Sequence, residues 1–168
     1  MKRRYLGLAI LALLLVGGLM LAKFVIAPST ENDAASRLVV AGDIIISDFW
    51  IAEPFGDQRQ TALYLAIRNA GARDEQLTGA TTPAAGFAHL HNTTNEDNVS
   101  RMHAMETVNI PAGGEVHLAP GGIHIMLVGL NAELAAAGER VLVTLQFAET
   151  GEVTFEVPVL NRADAMNW

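Results

Sequence analysis

Histidine and methionine are concentrated in one part of the chain. All five histidines and three of the six methionines lie between positions 89 and 126, a window of 38 residues. Thioether sulfur is a soft ligand that prefers Cu(I) to Zn(II), Mg(II) or Ca(II), and imidazole binds copper in either oxidation state. The window therefore predicts a copper site. Against it stands the simpler interpretation that a methionine in a β-protein only fills the core.

The first candidate pair lies on two strands joined by a turn. The polar, turn-rich run 93–98 separates the strand candidates 87–92 and 101–104. A turn centred in that run pairs His91 directly with Met102, and directly opposed residues point to the same face. We therefore expect these two side chains to lie side by side.

The second candidate pair is His124-x-Met126. A spacing of two places both side chains on one face of a strand, with Ile123, Ile125 and Leu127 on the other. The turn signal 120–122 predicts a hairpin that brings His117 opposite His124, which makes His117 a candidate for an extra ligand. Two imidazoles and two thioethers carry no negative charge, so they predict a Cu(I) site of moderate affinity that can also release its ion.

The chain has no cysteine. A thiol nucleophile, a thiolate ligand and a redox dithiol are therefore all excluded, and so is a blue-copper electron-transfer site, which requires a cysteine thiolate. The sequence also lacks a serine-triad signature and a clustered acid/base pair. We therefore predict that the protein is not an enzyme.

Short apolar runs separated by turn residues continue from position 38 to position 160. They predict about nine to eleven strands at a spacing of 8–12 residues, which is typical of an all-β sandwich or barrel. The strand candidates are 38–46, 48–52, 61–68, 78–82, 87–93, 99–104, 107–110, 115–118, 123–130, 139–148 and 153–160. The last two are predicted to form a hairpin around 149–151, and 131–138 could form one helical turn.

The N-terminus carries an export signal. Three basic residues at positions 2–4 precede an uncharged apolar run, 5–22, that is near the length of a membrane span and lacks a good cleavage site. We predict a signal anchor over 1–27, with a cleaved signal peptide as the alternative, and the remainder on the outside. The further predicted segments are a linker at 28–37, the domain at 38–160 and a short loose tail at 161–168.

The exported part is strongly acidic. It carries 7 arginines and no lysine against 18 acidic residues, a net charge of −11. An acidic surface argues against nucleic acid or anionic lipid as a partner. It suits cations or a basic protein surface, although solubility alone explains much of it.

The spacing of the candidate ligands resembles a known family. Ten residues separate His91 from Met102, twenty-one separate Met102 from His124, and Met126 completes His-x-Met. This pattern is similar to the motif of the PCuAC family of periplasmic copper chaperones. The stretch IPAGGEVHLAPGGIHIMLVGL at 110–130 also resembles that family, as do ISDFWI, ALYLAIRN and TTPAAG, so the resemblance covers about residues 44–160.

The resemblance implies a cupredoxin-like β-sandwich that binds one Cu(I) through His91, Met102, His124 and Met126. It further implies a periplasmic domain that supplies the dinuclear copper (CuA) site of cytochrome c oxidase subunit II, with a thioredoxin-like Sco protein as a further partner. Cu(II) is a second ion that the histidines could take in vitro. The auxiliary methionine and the His- and Met-rich tail of some members are missing here, since the tail offers only Met166.

Two other functions remain open from the residues alone. A copper-storage or resistance protein would bind the ion without delivering it to a dedicated acceptor. A metal-free interaction domain would carry its histidines and methionines by coincidence. For His89, His103 and His117, roles at the surface or next to the ligands are favoured over ligation.

Overall fold

The computed structural model describes residues 38–97, 99–131 and 137–165 of the 168-residue chain. The predicted signal anchor, the linker, most of the predicted helical turn at 131–138 and the last three residues of the tail lie outside these ranges. Within the described residues, no helix has the length and apolar character needed to cross a membrane.

The described chain forms eleven strands and one short helix. They are β1 (Leu38–Ala41), β2 (Ile44–Ala52), β3 (Gln60–Asn69), β4 (Glu75–Thr81), β5 (Ala85–Glu96), β6 (Val99–Ala104), β7 (Val108–Ile110), β8 (Glu115–Leu118), β9 (Ile123–Leu130), β10 (Arg140–Phe147), β11 (Gly151–Leu160) and α1 (Arg162–Ala165). The neighbours run β6-β5-β9-β3-β2-β11-β10-β4-β7, with β1 on β2 and β8 on β3. All these pairs are antiparallel except β11 with β2.

Alternation along the strands builds one apolar core. In β3 and β9 the side chains of Leu63, Ile67, Ile125 and Leu127 are fully buried, and β10 contributes Leu145 from the far half of the sheet. Both halves of the strand path supply residues to the same cluster, so the sheet closes around it. Each such side chain stabilises the fold by about 1.5–3 kcal/mol relative to an exposed one. The predicted all-β class is confirmed.

The start of the domain differs from the predicted strands. The candidate 38–46 is two strands, because a turn at Gly42, whose φ is +59°, reverses the chain between β1 and β2. Residues 44–52 are one strand instead, with a bulge between Ser47 and Trp50 where Asp48 has a φ of +51°. The bulge absorbs the break in alternation that made 48–52 look separate.

The end of the domain follows the prediction more closely. The whole of β10 pairs with residues 151–158 of β11, and the pairing closes with Phe147 opposite Gly151, as the hairpin prediction required. The tail begins with the single helical turn α1 rather than with the loose chain that was predicted.

Candidate metal site

The register of β5 and β6 differs by two residues from the predicted one. His91 pairs with Ala104, and Met102 pairs with Thr93, so the predicted direct pair of His91 with Met102 is wrong. The polar residues after His91 continue the strand instead of forming a long loop, and the turn closes between Glu96 and Val99. A shift of two keeps the faces unchanged, so His91 and Met102 are diagonal neighbours about 7–8 Å apart, with their Cβ atoms somewhat closer.

Strand β9 lies between β5 and β3 and brings the second candidate pair to the first. His91 is directly opposite His124, and His89 is directly opposite Met126. The rings of His91 and His124 meet edge to face, with centroids 5.9 Å apart and an angle of 80° between their planes. The intervening residue of each strand points into the core: Leu90 on β5 and Ile125 on β9.

Strands β8 and β9 do not form the predicted hairpin. Both run antiparallel to β3, β8 along Leu65–Arg68 and β9 along Gln60–Leu63, so the chain continues in one direction and 119–122 forms a local excursion. His117 therefore lies opposite Ala66 and not opposite His124, which corrects the prediction of an extra ligand. Its exposed Nε2 lies 3.0 Å from a carboxylate oxygen of Glu115.

The excursion orients the His124 ring. The carbonyl oxygen of Gly122 accepts hydrogen bonds from the backbone N–H of Thr93, at 3.1 Å, and from His124 Nδ1, at 3.0 Å. A carbonyl can only accept, so Nδ1 carries the proton of the neutral ring and Nε2 keeps its lone pair. His124 is only 4% exposed. The backbone therefore fixes both the orientation and the tautomer of this ring.

His91 has a buried ring nitrogen without a hydrogen-bond partner in the described structure. Its Nδ1 atom has no hydrogen-bond partner among the residues that the structure describes. Burial lowers the pKa of this imidazole below 6.5, and the neighbouring His124 and His89 rings lower it further. Both effects favour the neutral ring, which is the form that binds a metal.

Three of the four predicted ligands line one surface cleft of about 460 Å³: Met102, His124 and Met126. Met102 is 51% exposed, so the cleft is open to solvent on that side. Tyr64 forms part of the wall, with its ring centroid 6.4 Å from that of His124, and burial raises the pKa of its hydroxyl. His91 joins the group through its contact with His124. The cleft thus has two imidazoles and two thioethers at or beside it.

The other histidines and Met105 have separate environments. His103 is exposed on β6 and, by strand alternation, points away from the face that carries Met102. Met105 is partly buried against the core, as expected for a packing residue. His89 is exposed on the same face as His91, and its ring stacks on both Phe87 and His91. In the described part of the chain, no three His, Cys, Asp or Glu side chains are grouped closely enough to hold a metal ion.

Sequence reasoning missed Tyr64, Thr93 and Gly122. Tyr64 and Thr93 do not carry ligands of the expected type, and Gly122 contributes only its backbone carbonyl, so composition gives no signal for them. Only the pairing of β3 with β9, and the excursion before His124, bring them to the site.

Comparison with known proteins places the chain in a family. The family model described as "Putative lipoprotein LpqE-like" matches residues 44–159. The chain belongs to the LpqE-like family. It is also 37% identical over 120 residues to the "Putative lipoprotein Lxx21020" of Leifsonia xyli subsp. xyli, a match that covers 71% of this chain and 70% of that protein.

Solved structures similar to this LpqE-like chain include PCuAC domains. The copper-bound PCuAC domain from PmoF2 has a TM-score of 0.64 and 24% identity, and the match covers 74% of this chain and 97% of that one. Cu(I)-bound DR1885 from Deinococcus radiodurans has a TM-score of 0.59 and 26% identity, with 77% and 84% covered. The resemblance to PCuAC proteins is confirmed, and the Cu(I) in the second structure agrees with the predicted ion.

Proposed function

We propose that this LpqE-like protein is a copper(I) carrier that holds one ion with His91, Met102, His124 and Met126. The observation that carries the proposal is the register of β5 and β9. It sets His91 opposite His124 and places Met126 two residues along the same strand face. Met102 reaches the same cleft from β6. The four side chains thus come from three adjacent strands.

The chemistry of these ligands suits the singly charged ion. Two thioethers favour Cu(I). Burial lowers the pKa of His91 and so favours its neutral, metal-binding ring, and the Gly122 carbonyl holds Nδ1 of His124 and leaves Nε2 for a metal. A buried nitrogen without a partner costs about 1–3 kcal/mol, so the free Nδ1 of His91 is better accounted for by a site that a ligand completes. The half-exposed Met102 provides the side from which an acceptor's ligands would displace the thioethers.

The proposed acceptor is the CuA site of cytochrome c oxidase subunit II, with a Sco-type protein as a further partner. The proposed location is the periplasmic face of the bacterial inner membrane, or the soluble periplasm if the leader is cleaved. The lipoprotein names of the family and of the Leifsonia relative support a place outside the cytoplasm at a membrane. The chain has no cysteine to carry a lipid. Segment 1–27 therefore supplies the anchor in this proposal.

A Cu(I) competition titration tests the binding step. The detergent-solubilised full chain is titrated anaerobically against a chromophoric Cu(I) chelator, alongside a variant with Met102→Leu and Met126→Leu. We expect one Cu(I) per chain in the wild type and an affinity lower by orders of magnitude in the variant, because leucine keeps the volume but removes the sulfur. Met105→Leu is the matched control, since this methionine packs against the core and should keep wild-type affinity.

Two results would contradict the proposal. Unchanged Cu(I) affinity in the double variant would show that the two thioethers are not ligands. No copper bound at any chelator concentration would favour the metal-free interaction domain.

A second measurement separates delivery from storage. The Cu(I)-loaded chain is mixed with the apo CuA domain of subunit II, the two are separated, and the copper content of each is measured. Copper on the CuA domain, at a rate faster than free dissociation allows, supports a carrier. Copper that stays on the chain supports storage or resistance.

A further inference from the structure

An apolar groove of about 840 Å³ adjoins the proposed metal cleft. This aromatic groove is lined by Trp50, Pro54, Phe55, Tyr64 and Leu160, among others. The rings of Trp50 and Tyr64 pack together with their centroids 4.6 Å apart. Phe55 and Tyr64 line the metal cleft as well as the groove. The two depressions therefore share a wall, and a partner that fills the groove also reaches the cleft.

Phe55 lies on this shared wall with its ring in solvent. At 82% exposure it is the most exposed large apolar side chain in the described part of the chain. The half-exposed Met102 lines the same cleft. Aromatic residues and methionine are enriched in protein interfaces, and an exposed apolar surface beside a binding cleft is typical of a site of association. The fold gains little from the ring of Phe55, which a docked partner would bury.

The walls of the groove and the cleft are almost free of charge. Among the described residues that line them, only Glu53 is charged, and its Oε1 accepts a hydrogen bond from the N–H of Ala137 at 3.2 Å. The depression beside Asn69 differs, since it is lined by Arg73 and by five acidic residues: Asp43, Asp74, Glu75, Glu149 and Glu152. Charged residues are depleted at the centre of protein interfaces. The aromatic groove therefore fits an apolar partner surface, not the basic one that the net charge alone suits.

Copper transfer itself requires a partner at this place. Metal bonds to nitrogen and sulfur are about 2.0–2.3 Å long, so the ligands of an acceptor must enter the cleft to replace those of the carrier. The acceptor surface around those ligands must then lie on the rim of the cleft, which includes Phe55 and Met102.

We propose that the aromatic groove is the docking surface for the protein that accepts the copper, with Phe55 buried at the centre of the contact. The partner is a protein that presents an apolar, uncharged surface next to its own exposed metal ligands. The inference rests on the proposed function, because it requires that the cleft gives its Cu(I) to another protein.

The experiment compares copper transfer to a protein with copper removal by a small chelator. The Cu(I)-loaded, detergent-solubilised full chain is mixed with the apo CuA domain of subunit II, and the rate of transfer is measured. For Phe55→Ala we expect this rate to fall at least about tenfold, as for the truncation of a central aromatic residue of an interface. A chromophoric chelator needs no docking surface, so its rate of copper removal should stay at the wild-type value, as should the Cu(I) affinity.

Leu142→Ala is the matched control. Leu142 is 50% exposed on β10, in the half of the strand path away from the cleft, so its truncation should change neither rate. The difference between Phe55→Ala and the wild type should persist at high salt, because an apolar contact is not screened. The thermal unfolding midpoint of each variant checks that the exposed substitution has left the fold intact.

Four outcomes would overturn the inference. Equal transfer rates in the wild type and Phe55→Ala would do so and leave delivery by the carrier intact. An equally slowed chelator reaction would show that Phe55 acts on the cleft and not on the partner. A difference that disappears at high salt would assign the effect to charge. A wild-type dimer that Phe55→Ala dissociates, detected by sedimentation, would make a second copy of the chain the occupant.

Failure of the proposed function has a different result. If the wild-type chain transfers no copper to the CuA domain, delivery to that acceptor is wrong, and docking of that acceptor in the groove is wrong with it.

Discussion

Two polar regions of this protein differ in whether every buried polar side-chain atom has a hydrogen-bond partner. Five residues beyond Tyr64 along β3, about 17 Å away, lie Asn69 and the start of β4. There, the buried carboxylate of Glu75 accepts four hydrogen bonds: from the N–H of Gln76 and of Glu149, and from both the N–H and the hydroxyl of Thr150. At the metal site, by contrast, a buried nitrogen of His91 has no described partner.

The buried amide of Asn69 repeats the pattern seen at Glu75. Its Nδ2 donates to the carbonyls of Arg73 and Ile110, and its Oδ1 accepts from the N–H of Gly71. A buried polar group whose partners all belong to the chain stabilises the fold and its turns. A buried polar group without a partner in the chain can still form a bond to a ligand. The comparison thus separates residues that hold the domain together from a candidate ligand.

Removing the Glu75 carboxylate should give the largest loss of stability. For Glu75→Ala we expect the free energy of unfolding to fall by about 3–4 kcal/mol, because several buried N–H and O–H donors lose a charged acceptor together. Cu(I) affinity should not change. Urea denaturation measures the first quantity and chelator competition the second. Glu149→Ala, an exposed carboxylate of the same turn, is the control, and an equal loss there would end this assignment.

The same substitution at Asn69 and at His91, each of which has buried polar side-chain atoms, should have opposite effects. Asn69→Leu should lower the free energy of unfolding by about 2–3 kcal/mol, because it leaves its carbonyl and N–H partners unpaired. His91→Leu should leave the stability of the metal-free protein unchanged or raise it by about 1 kcal/mol, since it removes an unpartnered nitrogen. Its Cu(I) affinity should fall at least about a hundredfold. A destabilised His91→Leu protein would show that this histidine also supports the fold.

The pH dependence of stability should also separate the two regions. The pKa of Glu75 is below 4.5 because its hydrogen bonds outweigh the opposing effect of burial. Its contribution is therefore present above pH 4.5 and is lost as the pH falls through the lowered pKa. The pKa of His91 is also lowered in the folded protein. As the pH falls below 6.5, the unfolded chain therefore binds a proton at this residue before the folded chain does, and some stability is lost.

Urea midpoints measured across the pH range test this difference. Glu75→Gln should flatten the acid part of the profile, and His91→Leu should flatten the part just below pH 6.5. A profile that keeps its wild-type shape in either variant would contradict the corresponding assignment.

The smallest expected effect is at the excursion before His124. Gly121 has a φ of +80°, and an added Cβ would meet no atom within 4 Å, so Gly121→Ala adds only backbone strain of about 1–2 kcal/mol. Gly113, with a φ of +67° and equally open space, provides a matched control. We expect similar destabilisation in both, but only Gly121→Ala should also weaken Cu(I) binding slightly, through the Gly122 carbonyl. Equal affinities in the two variants would mean that the excursion does not orient the His124 ring.

The sequence allowed good prediction where local alternation decides the structure. The strands at 61–68, 99–104 and 123–130, and the final hairpin, follow directly from apolar periodicity and turn residues. The outward faces of His91, Met102, His124 and Met126 also followed, because a strand's period of two fixes the face of a side chain once the strand is known.

The register of strand pairs and the direction of the chain after a turn could not be predicted from the sequence. A polar run can extend a strand or form a loop, so the β5–β6 turn was misplaced by two residues. The Pro-Gly-Gly signal at 120–122 is equally compatible with a reversal and with an excursion. The long-range pairing of β8 and β9 with β3 decides between them. For the same reason Tyr64 and the Gly122 carbonyl could not be assigned to the site.

The excursion at 119–122 has a consequence for recognising related proteins. Its four residues are part of the twenty-one that separate Met102 from His124, yet they lie outside the paired strands on either side. The position of His124 is fixed by its pairing with His91 and by the burial of Ile125, so insertions or deletions in the excursion need not move it. A pattern search that demands a fixed count would miss proteins that build the same cleft with a longer or shorter excursion. Alignments anchored on the His-x-Met strand would find them.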